Sequence, residues 1–208
     1  MTDGAAAFAA QVDVSRETLA RLSTYHDLLQ KWGKHINLVS RGTLDAAWAR
    51  HFLDSAQLLS LAPQSARRWC DLGSGAGFPG LVIAILATES RPELKVRLVE
   101  SDQRKAEFLR AVCRQTETQA DVLAARIESA EPCGADVLSA RALAPLADLL
   151  GMAERHLAPG GICLFPKGAR HRDEVAATLE TFTFDCEEYP SKTGADSVIL
   201  KIGGIGRV

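Results

Sequence analysis

The chain has 208 residues, of which 47% are hydrophobic and 24% charged, and its formal net charge is −2. This is the composition of an ordinary globular protein, long enough for one full domain with a short accessory segment and too short for two domains of usual size. A net charge this close to zero argues against general attraction to polyanions and leaves room only for a local basic patch.

The five cysteines do not follow the spacing of metal ligands or of a disulfide framework. No Cys-x-x-Cys pair and no partnered histidine spacing occurs among Cys70, Cys113, Cys133, Cys163 and Cys186, which fits a reducing compartment. The first residues carry no basic stretch, so we expect no signal peptide. The longest apolar run, residues 81–87, is far shorter than the about 18 residues of a membrane span. We therefore expect a cytoplasmic protein with no metal site and no membrane association.

The first 65 residues carry the pattern of amphipathic helices. Apolar residues at three- and four-residue steps predict a helix over residues 15–32 and a second over residues 43–59, with Thr43 as its candidate N-cap. Turn-forming residues, among them Asn37, separate the two helices. We expect residues 1–65 to form an N-terminal helical cap.

Strands and helices alternate after this prefix. Predicted strands cover residues 69–72, 96–100, 122–124, 135–140 and 162–165, and predicted helices cover residues 79–88, 102–118 and 145–157. This alternation predicts an α/β fold with a doubly wound parallel sheet. Two last strands, residues 184–189 and 197–202, are joined by a loop too short for a crossover helix and should pair antiparallel. A Rossmann-like, mostly parallel sheet that ends in an antiparallel hairpin is typical of class I methyltransferases.

The stretch DLGSGAGFPG, residues 71–80, places four glycines and a proline in the first strand-to-helix turn. In a doubly wound sheet this turn is a usual ligand contact, because it lies where the strand order reverses. Gly75-x-Gly77-x-x-Gly80 matches a dinucleotide fingerprint, whereas Asp71-x-Gly73-x-Gly75-x-Gly77 matches a loop that binds S-adenosylmethionine. A merely tight turn is the third interpretation.

Two carboxylates bear on the choice between these cofactors. Asp71 stands two residues before the first glycine, where it could reach the amino group of this cofactor and where a dinucleotide fold expects an apolar residue. Glu100 ends the second strand and could accept both ribose hydroxyls, which fits either cofactor, although a solvated strand end would look the same. An NAD(P)-dependent oxidoreductase is the main alternative. The chain lacks a Tyr-x-x-x-Lys pair, since Tyr189 precedes Lys192 by three, and has no room for a substrate domain.

Seven motifs carry a resemblance over nearly the whole chain. In order they are KWGKHINLVS, HFLDS, DLGSGAGFPG, LVES, RIES, LSARALA and PKG, which start at residues 31, 51, 71, 98, 126, 138 and 166. Together they resemble the glucose-inhibited division protein B family, guanine-N7 methyltransferases of bacterial 16S ribosomal RNA. The resemblance implies S-adenosylmethionine as cofactor, bound by residues 66–208, and 16S ribosomal RNA or an assembling small ribosomal subunit as partner. It also implies that Phe78 touches the cofactor and that Ile127 and Glu128 line its adenine. We expect a monomer.

The residues after the fourth strand bear on the methyl acceptor. They read SARALAP, without the Asn/Asp-Pro-Pro-aromatic turn of enzymes that methylate exocyclic amines. Pro132-Cys133 precedes that strand, so Cys133 is better explained as a loop cysteine than as a nucleophile for cytosine C5. Guanine N7 already presents a lone pair, so positioning alone can supply much of the catalysis. A methyltransferase for a small molecule and a non-catalytic RNA-binding module remain alternatives.

Basic residues follow the fourth and fifth strands. Arg141 should project over the cofactor mouth, where its planar donors suit a phosphate or guanine O6, or else form a surface ion pair. The resemblance favours a catalytic role and contact with both cofactor and RNA. Lys167 begins a basic run with Arg170 and Arg172, which we expect to contact RNA phosphates, with Lys167 also catalytic; a solvated charged face is the simpler interpretation.

Four prefix and loop positions stay undecided. His51 and Asp54 lie three residues apart on one helix face, as a structural pair would. Asn37 could cap a turn or face the substrate. Many members of the family carry a basic residue near the position of Ala195, and Lys192 is the candidate replacement in this chain.

Overall fold

The prefix folds into one long and three short helices. The computed structural model describes residues 3–208, without the side chain of Arg41. The helices of the prefix are α1 (Asp3–Ala9), α2 (Arg16–Trp32), α3 (Arg41–Leu44) and α4 (Asp54–Leu61). A π-helical turn, Trp48–Leu53, leads directly into α4, and the sheet follows α4. Ser15 caps α2 by accepting a hydrogen bond from the Thr18 amide at 3.1 Å.

Two features of the prefix differ from the prediction. Helix α1 was not predicted, because seven residues are too few to show a helical period, yet Phe8 packs against Trp48 with ring centroids 5.6 Å apart. The helix predicted over residues 43–59 is broken at residues 45–47 and passes through the π-helical turn before α4. Such π-helical turns are frequent at functional sites.

The remainder of the chain forms one seven-stranded sheet with four helices. Its strands are β1 (Arg68–Leu72), β2 (Lys95–Val99), β3 (Asp121–Leu123), β4 (Ala135–Ala140), β5 (Leu157–Lys167), β6 (Phe182–Pro190) and β7 (Val198–Arg207). Its helices are α5 (Gly80–Ser90), α6 (Gln103–Thr116), α7 (Leu146–His156) and α8 (His171–Thr178). Helix α8 was not predicted, because it buries only His171 and Thr178 and therefore has little apolar periodicity.

The order of the strands is β3-β2-β1-β4-β5-β7-β6. All pairings are parallel except those of β7, which is antiparallel to both β5 and β6. This confirms the predicted class I methyltransferase architecture. Because β1 pairs with β2 on one side and β4 on the other, the strand order reverses at β1, and the carboxyl ends of β1 and β4 border the crevice in which such folds bind ligands.

One hydrophobic core joins the prefix to the sheet. Helix α5 is buried on all sides over residues 80–87 because it lies between the sheet and the prefix. Leu22, Tyr25 and Phe52 of the prefix belong to the same buried cluster as Leu81 and Phe108. A second cluster lies on the opposite face of the sheet, around α7. Over residues 3–208, no helix combines the length and the apolarity that crossing a membrane would require.

Candidate functional site

The glycine loop, residues 71–80, leaves its backbone open at one position. Gly73, Gly75 and Gly77 have φ values of +62°, +57° and +96°, a region in which only glycine is free of strain. A Cβ added to Gly75 would have no side chain nearby, its nearest neighbour being the Gly73 carbonyl oxygen at 3.8 Å. A Cβ on Gly77 would lie 2.6 Å from the Tyr25 hydroxyl. The loop therefore packs against Tyr25 at Gly77, whereas its backbone is open to close approach by a ligand at Gly75.

Asp71 supports this loop from beneath, where we expected it to face a cofactor. Its carboxylate is wholly buried: Oδ1 accepts from the Ser139 hydroxyl at 2.6 Å and Oδ2 from the Gly80 amide at 3.2 Å. The side chain has no exposed surface, and contact of Asp71 with the cofactor stays a prediction. Burial raises the pKa of Asp71 to about 6, against the opposing effect of the Ser139 bond.

Glu100 bridges the glycine loop and the start of α6. Its Oε2 accepts from the Gly75 amide and its Oε1 from the Asp102 amide, both at 2.7 Å. Each carboxylate oxygen keeps a second lone pair, so Glu100 retains acceptor capacity beside the open face of Gly75. The structure thus brings Glu100 and Gly75 together, and the ribose site expected at Glu100 stays a prediction.

An aromatic cluster from the prefix holds the loop in place. The Tyr25 hydroxyl donates to the Ala76 carbonyl oxygen, and the Tyr25 ring stacks on Phe78 with centroids 5.3 Å apart. His51 and Phe52 also contact Phe78, at 5.0 and 5.2 Å between ring centroids. Sequence reasoning missed Tyr25, since its position in a helix 51 residues before Ala76 gives no local signal. Phe78 is buried, so it anchors the loop, and contact with a cofactor stays a prediction.

The adenine-lining residues predicted after β3 lie in a single 3-10 turn, Ile127–Ser129. Ile127 is buried and Glu128 is exposed. The Ile127 carbonyl oxygen accepts from His156 Nε2 at 3.0 Å, which ties this turn to the end of α7. The Glu100 amide donates to the carbonyl of Leu123, the last residue of β3, at 3.1 Å. The 3-10 turn, which follows β3, therefore lies at the same edge of the sheet as Glu100.

Arg141 follows β4 and is held by one of its nitrogens. Nη1 donates to the Arg50 carbonyl oxygen (3.3 Å), His51 Nδ1 (3.1 Å) and Asp54 Oδ2 (3.4 Å). The guanidinium also lies over the Phe78 ring, 5.1 Å from its centroid. Among residues 3–208, no hydrogen bond is made by Nε or Nη2 of Arg141. Arg141 is therefore fixed in direction while keeping free donors.

His51 and Asp54 are linked through Arg141, and no direct bond joins them in the described part of the chain. His51 accepts at Nδ1 from Arg141 and lies 3.0 Å from the Thr43 hydroxyl through Nε2. Burial, and then the charge of Arg141, lower the pKa of His51 to about 4, so the ring is neutral near pH 7. The predicted structural pair is thus a triad with Arg141.

Asp54 also joins the prefix to the loop before β7. Its Oδ1 accepts from the hydroxyls of Ser191 and Thr193, at 3.2 and 3.0 Å. Lys192 between them is exposed, as is Asn37 in the turn after α2. The role proposed for either residue in RNA contact stays a prediction.

Lys167 is paired with an acid that the sequence analysis did not assign to it. Its Nζ donates to Glu174 Oε2 at 2.7 Å and to the Ala144 carbonyl at 3.2 Å, and its side chain is only 10% exposed. The basic run therefore divides: Arg170 and Arg172 are exposed, whereas Lys167 is neutralised by Glu174 of α8. Glu174, seven residues after Lys167, can pair with it because α8 follows β5 after a short loop.

A cleft of about 360 Å³, lined by Arg141 and Lys167 among others, lies at the ends of β4 and β5 and is here named the β4–β5 cleft. Its walls come from the ends of β4 and β5, from α7 and α8, from the loop before β7 and from the prefix; the charged residues among them are Arg50, Asp54, Arg141, Lys167 and Glu174. Ala142 next to Arg141 has a φ of +51°, a strained value for a residue with a Cβ. A Cβ on Gly73 would meet Leu143 at 2.6 Å, so this segment touches the glycine loop. The cleft and the glycine loop are therefore adjacent.

The chain matches one protein family over most of its length. The family model described as "GidB: rRNA small subunit methyltransferase G" matches residues 18–197. A protein of Cereibacter sphaeroides named Ribosomal RNA small subunit methyltransferase G is 54% identical over 199 residues, which cover 96% of this chain and 97% of that relative. A protein of the same name from Rhodospirillum centenum is 54% identical over 198 residues, which cover 95% and 89%.

Solved structures share the fold at low sequence identity. A methyltransferase from Geobacter sulfurreducens has a TM-score of 0.60 at 14% identity and covers 95% of this chain and 93% of its own. M. jannaschii TYW2, crystallised in complex with AdoMet, has a TM-score of 0.57 at 12% identity, with coverage of 85% and 80%. The fold and the family model agree with the resemblance that the seven motifs carried. The chain belongs to the rRNA small subunit methyltransferase G family.

Proposed function

We propose that this protein transfers a methyl group from S-adenosylmethionine to N7 of a guanine in 16S ribosomal RNA. Members of its family are named as methyltransferases of ribosomal RNA of the small subunit, and the chain has the fold of such enzymes. The observation that carries the proposal is the position of Arg141. It contacts the glycine loop through Phe78 and lines the β4–β5 cleft with unpaired donors, so it stands between the cofactor loop and the acceptor space.

The residues around the glycine loop fit S-adenosylmethionine. Gly75 leaves room for a ligand against the backbone, and Glu100 keeps acceptor capacity for ribose hydroxyls. The turn with Ile127 and Glu128 lies at the same edge of the sheet as Glu100. When bound there, this cofactor supplies a methyl group on a positively charged sulfur. Asp71 fixes the loop through its hydrogen bonds with the Gly80 amide and the Ser139 hydroxyl.

The β4–β5 cleft offers donors for the acceptor base. Guanine N7 attacks with its own lone pair, so no general base has to remove a proton, and orientation of N7 is the main requirement. The free Nε and Nη2 groups of Arg141 suit O6, which lies next to N7 on the same edge of guanine. Neutral His51 accepts from Arg141 and so holds this donor without adding a second positive charge.

Glu174 provides the complementary acceptor. Its Oε2 is used by Lys167 and by the Leu146 amide at 3.0 Å, whereas Oε1 makes no hydrogen bond to residues 3–208. The side chain is 32% exposed and lines the cleft. Guanine carries donors at N1 and at its N2 amino group, on the Watson–Crick edge away from N7, and a carboxylate oxygen is a suitable partner for them. We assign Glu174 to recognition of guanine, and Lys167 to positioning Glu174.

Contacts outside the cleft complete the proposal. The exposed Arg170 and Arg172 lie beside it on the loop and first turn of α8, and we assign them to RNA phosphates. A modest net charge suits a folded RNA or ribonucleoprotein recognised by shape, modified by a monomer in the cytoplasm where ribosomes are assembled.

The test is methyl transfer from labelled S-adenosylmethionine to small-subunit RNA that lacks the modification, both as free RNA and within assembled subunits. Borohydride and aniline cleavage then maps N7-methylguanosine. We expect one labelled guanine, and a turnover lower by about 100-fold in Arg141→Ala, because a preorganised donor is lost. Arg172→Ala is the matched control and should raise the KM for RNA while leaving turnover nearly unchanged. Tight binding of a reduced nicotinamide dinucleotide without any methyl transfer would instead support the oxidoreductase.

The role of Glu174 has its own readout. Inosine keeps O6 and N7 but lacks the N2 amino group, so wild-type protein should prefer guanine over inosine at the target position by about tenfold. Glu174→Ala should abolish most of this preference, and Asp173→Asn, an exposed acid on the same helix, should preserve it. An unchanged preference in Glu174→Ala would remove Glu174 from base recognition while leaving the methyltransferase proposal intact.

A further inference from the structure

Two cysteines that are far apart in the sequence meet beside the sheet. Cys70 on β1 lies with its Sγ 2.9 Å from Sγ of Cys133, which is in the loop before β4, and both are free thiols. Cys70 is buried and Cys133 is partly exposed. The S–S bond of a disulfide is about 2.05 Å, so the two sulfurs need to approach by only about 0.9 Å. Gly134, with a φ of +54°, adjoins Cys133 and gives this loop freedom to close.

A buried histidine completes the cluster. His156 is fully buried at the end of α7, and its Nδ1 has no hydrogen-bond partner within the described residues. The pKa of Cys133 is lowered, first by the thiol hydrogen of Cys70 and then by His156, while the pKa of Cys70 is raised chiefly by the same bond with Cys133. Both shifts favour negative charge on the partly exposed sulfur of Cys133 and a protonated thiol at the buried Cys70.

We propose that Cys70 and Cys133 form an oxidation site that converts reversibly to an intrachain disulfide on reaction with a peroxide. This arrangement of an accessible thiolate with a resolving thiol is that of redox-responsive cysteines, and disulfides in reducing compartments are usually of this transient kind. Methyl transfer as assigned above uses neither cysteine, so the proposal does not depend on the proposed function.

The reaction balances with the peroxide as the oxidant. The Cys133 thiolate attacks one oxygen of hydrogen peroxide, the O–O bond breaks, and the leaving hydroxide takes a proton to become water, which leaves a sulfenic acid on Cys133. The Cys70 thiol then loses its proton and attacks that sulfur, expelling hydroxide, which becomes a second water. Two thiols are oxidised to one disulfide, and one peroxide is reduced to two waters. A dithiol reverses the reaction by exchange.

The other cysteines provide internal controls. Cys186 is exposed but has no cysteine partner within residues 3–208, Cys113 is partly buried, and Cys163 is fully buried. Burial raises the pKa of Cys163 and of Cys113, so neither competes as a thiolate. Simple exposure would therefore direct peroxide to Cys186, and the proposed chemistry directs it to Cys133.

The experiment treats the intact, reduced protein with hydrogen peroxide and analyses tryptic peptides without reduction. We expect peptides 69–95 and 127–141 to become linked, three free thiols to remain, and dithiothreitol to restore all five. In Cys70→Ser the sulfenic acid on Cys133 should persist and be trapped by dimedone, whereas Cys186→Ser should form the disulfide like the wild type.

Three results would overturn the proposal: oxidation confined to Cys186, a linked product that still forms in Cys133→Ser, or no linked product in a folded wild-type protein. A measurement independent of any variant is the pH dependence of Cys133 alkylation by iodoacetamide. Its midpoint should lie below the about 8.5 of an ordinary thiol, and a midpoint at or above that value would contradict the assigned thiolate.

Discussion

At the scale of single residues, Asp71 places a buried carboxyl group beneath the glycine loop. Its side chain accepts hydrogen bonds from Ser139 and Gly80, and no ion pair to it is found among residues 3–208. Burial raises its pKa from the ordinary 3.8 to about 6, so the charged form is disfavoured in the folded protein. The fold tolerates this because the carboxylate fixes the glycine loop to both β4 and α5. The ionised carboxylate thus lowers the free energy of unfolding while it holds the glycine loop in place.

The sign of the resulting pH effect follows from linkage. Between pH 3.8 and 6 the folded state binds more protons at Asp71 than the unfolded state, so this residue lowers the free energy of unfolding as the pH rises through that window. The pKa difference corresponds to an upper limit of about 3 kcal/mol. Asp71→Asn removes the titration. We therefore expect the free energy of unfolding of wild type, minus that of Asp71→Asn, to fall from pH 4 to pH 7.

Urea denaturation of both proteins at pH 4, 5, 6 and 7 measures this difference. Asp148→Asn, an exposed carboxylate on α7, is the control for removing one negative charge from the surface. A difference that stays constant or rises with pH would mean that the pKa of Asp71 is not raised in the folded protein.

At the scale of elements, α2 of the prefix organises a loop of the sheet domain. Tyr25 donates its hydroxyl to Ala76 in the middle of the glycine loop and stacks on Phe78. Burial raises the pKa of Tyr25 well above 10, so the hydroxyl remains a donor at every accessible pH. The cap is thus a structural part of the ligand site rather than an independent attachment.

We expect Tyr25→Phe to lower the free energy of unfolding by about 1–3 kcal/mol, because the Ala76 carbonyl is left buried without its donor while the ring stacking is kept. The affinity for S-adenosylmethionine should fall as well, since the loop is less ordered. Calorimetric titration and thermal unfolding measure the two effects. Tyr189→Phe removes the only other tyrosine hydroxyl, which bonds exposed Glu187, and should change neither quantity appreciably. Equal effects of the two substitutions would contradict the assigned role.

At the scale of the whole molecule, the predicted boundary near residue 65 does not coincide with a break in the core. Leu22 and Phe52 on one side of it share a buried cluster with Leu81 and Phe108 on the other. Two segments with a continuous apolar core are expected to unfold together, because neither can expose its face without cost. We therefore predict that the cap and the methyltransferase domain form one cooperative unit.

The double variant Trp32→Phe, Trp69→Phe leaves Trp48 of the prefix as the only tryptophan. Urea unfolding followed by its fluorescence and by far-ultraviolet circular dichroism should give the same midpoint. The same variant supplies both signals, so any loss of stability from the substitutions cancels. A fluorescence midpoint at lower urea would show that the cap detaches first and would restore the two-domain description.

The sequence by itself determined what depends on neighbours along the chain. Alternating apolar runs of strand and helix length predicted all seven strands, a mostly parallel sheet and the antiparallel pairing of the last two strands, because burial on a sheet or helix face imposes a local period. The glycine loop and Glu100 were predicted as a ligand site, since glycine spacing and strand ends are local features. Helix α1 was missed because seven residues are too few to show a helical period, and α8 because few of its residues are buried.

Only the tertiary structure decided which distant groups meet. Tyr25 reaches Ala76 across 51 residues, Cys70 reaches Cys133 across 63, and Arg141 reaches Asp54 across 87. It also buried Asp71 beneath the glycine loop and gave Lys167 an acidic partner. Such pairings follow from how helices pack on the sheet, and that packing is set by the shapes of whole faces. A local pattern of residue types therefore does not predict this packing.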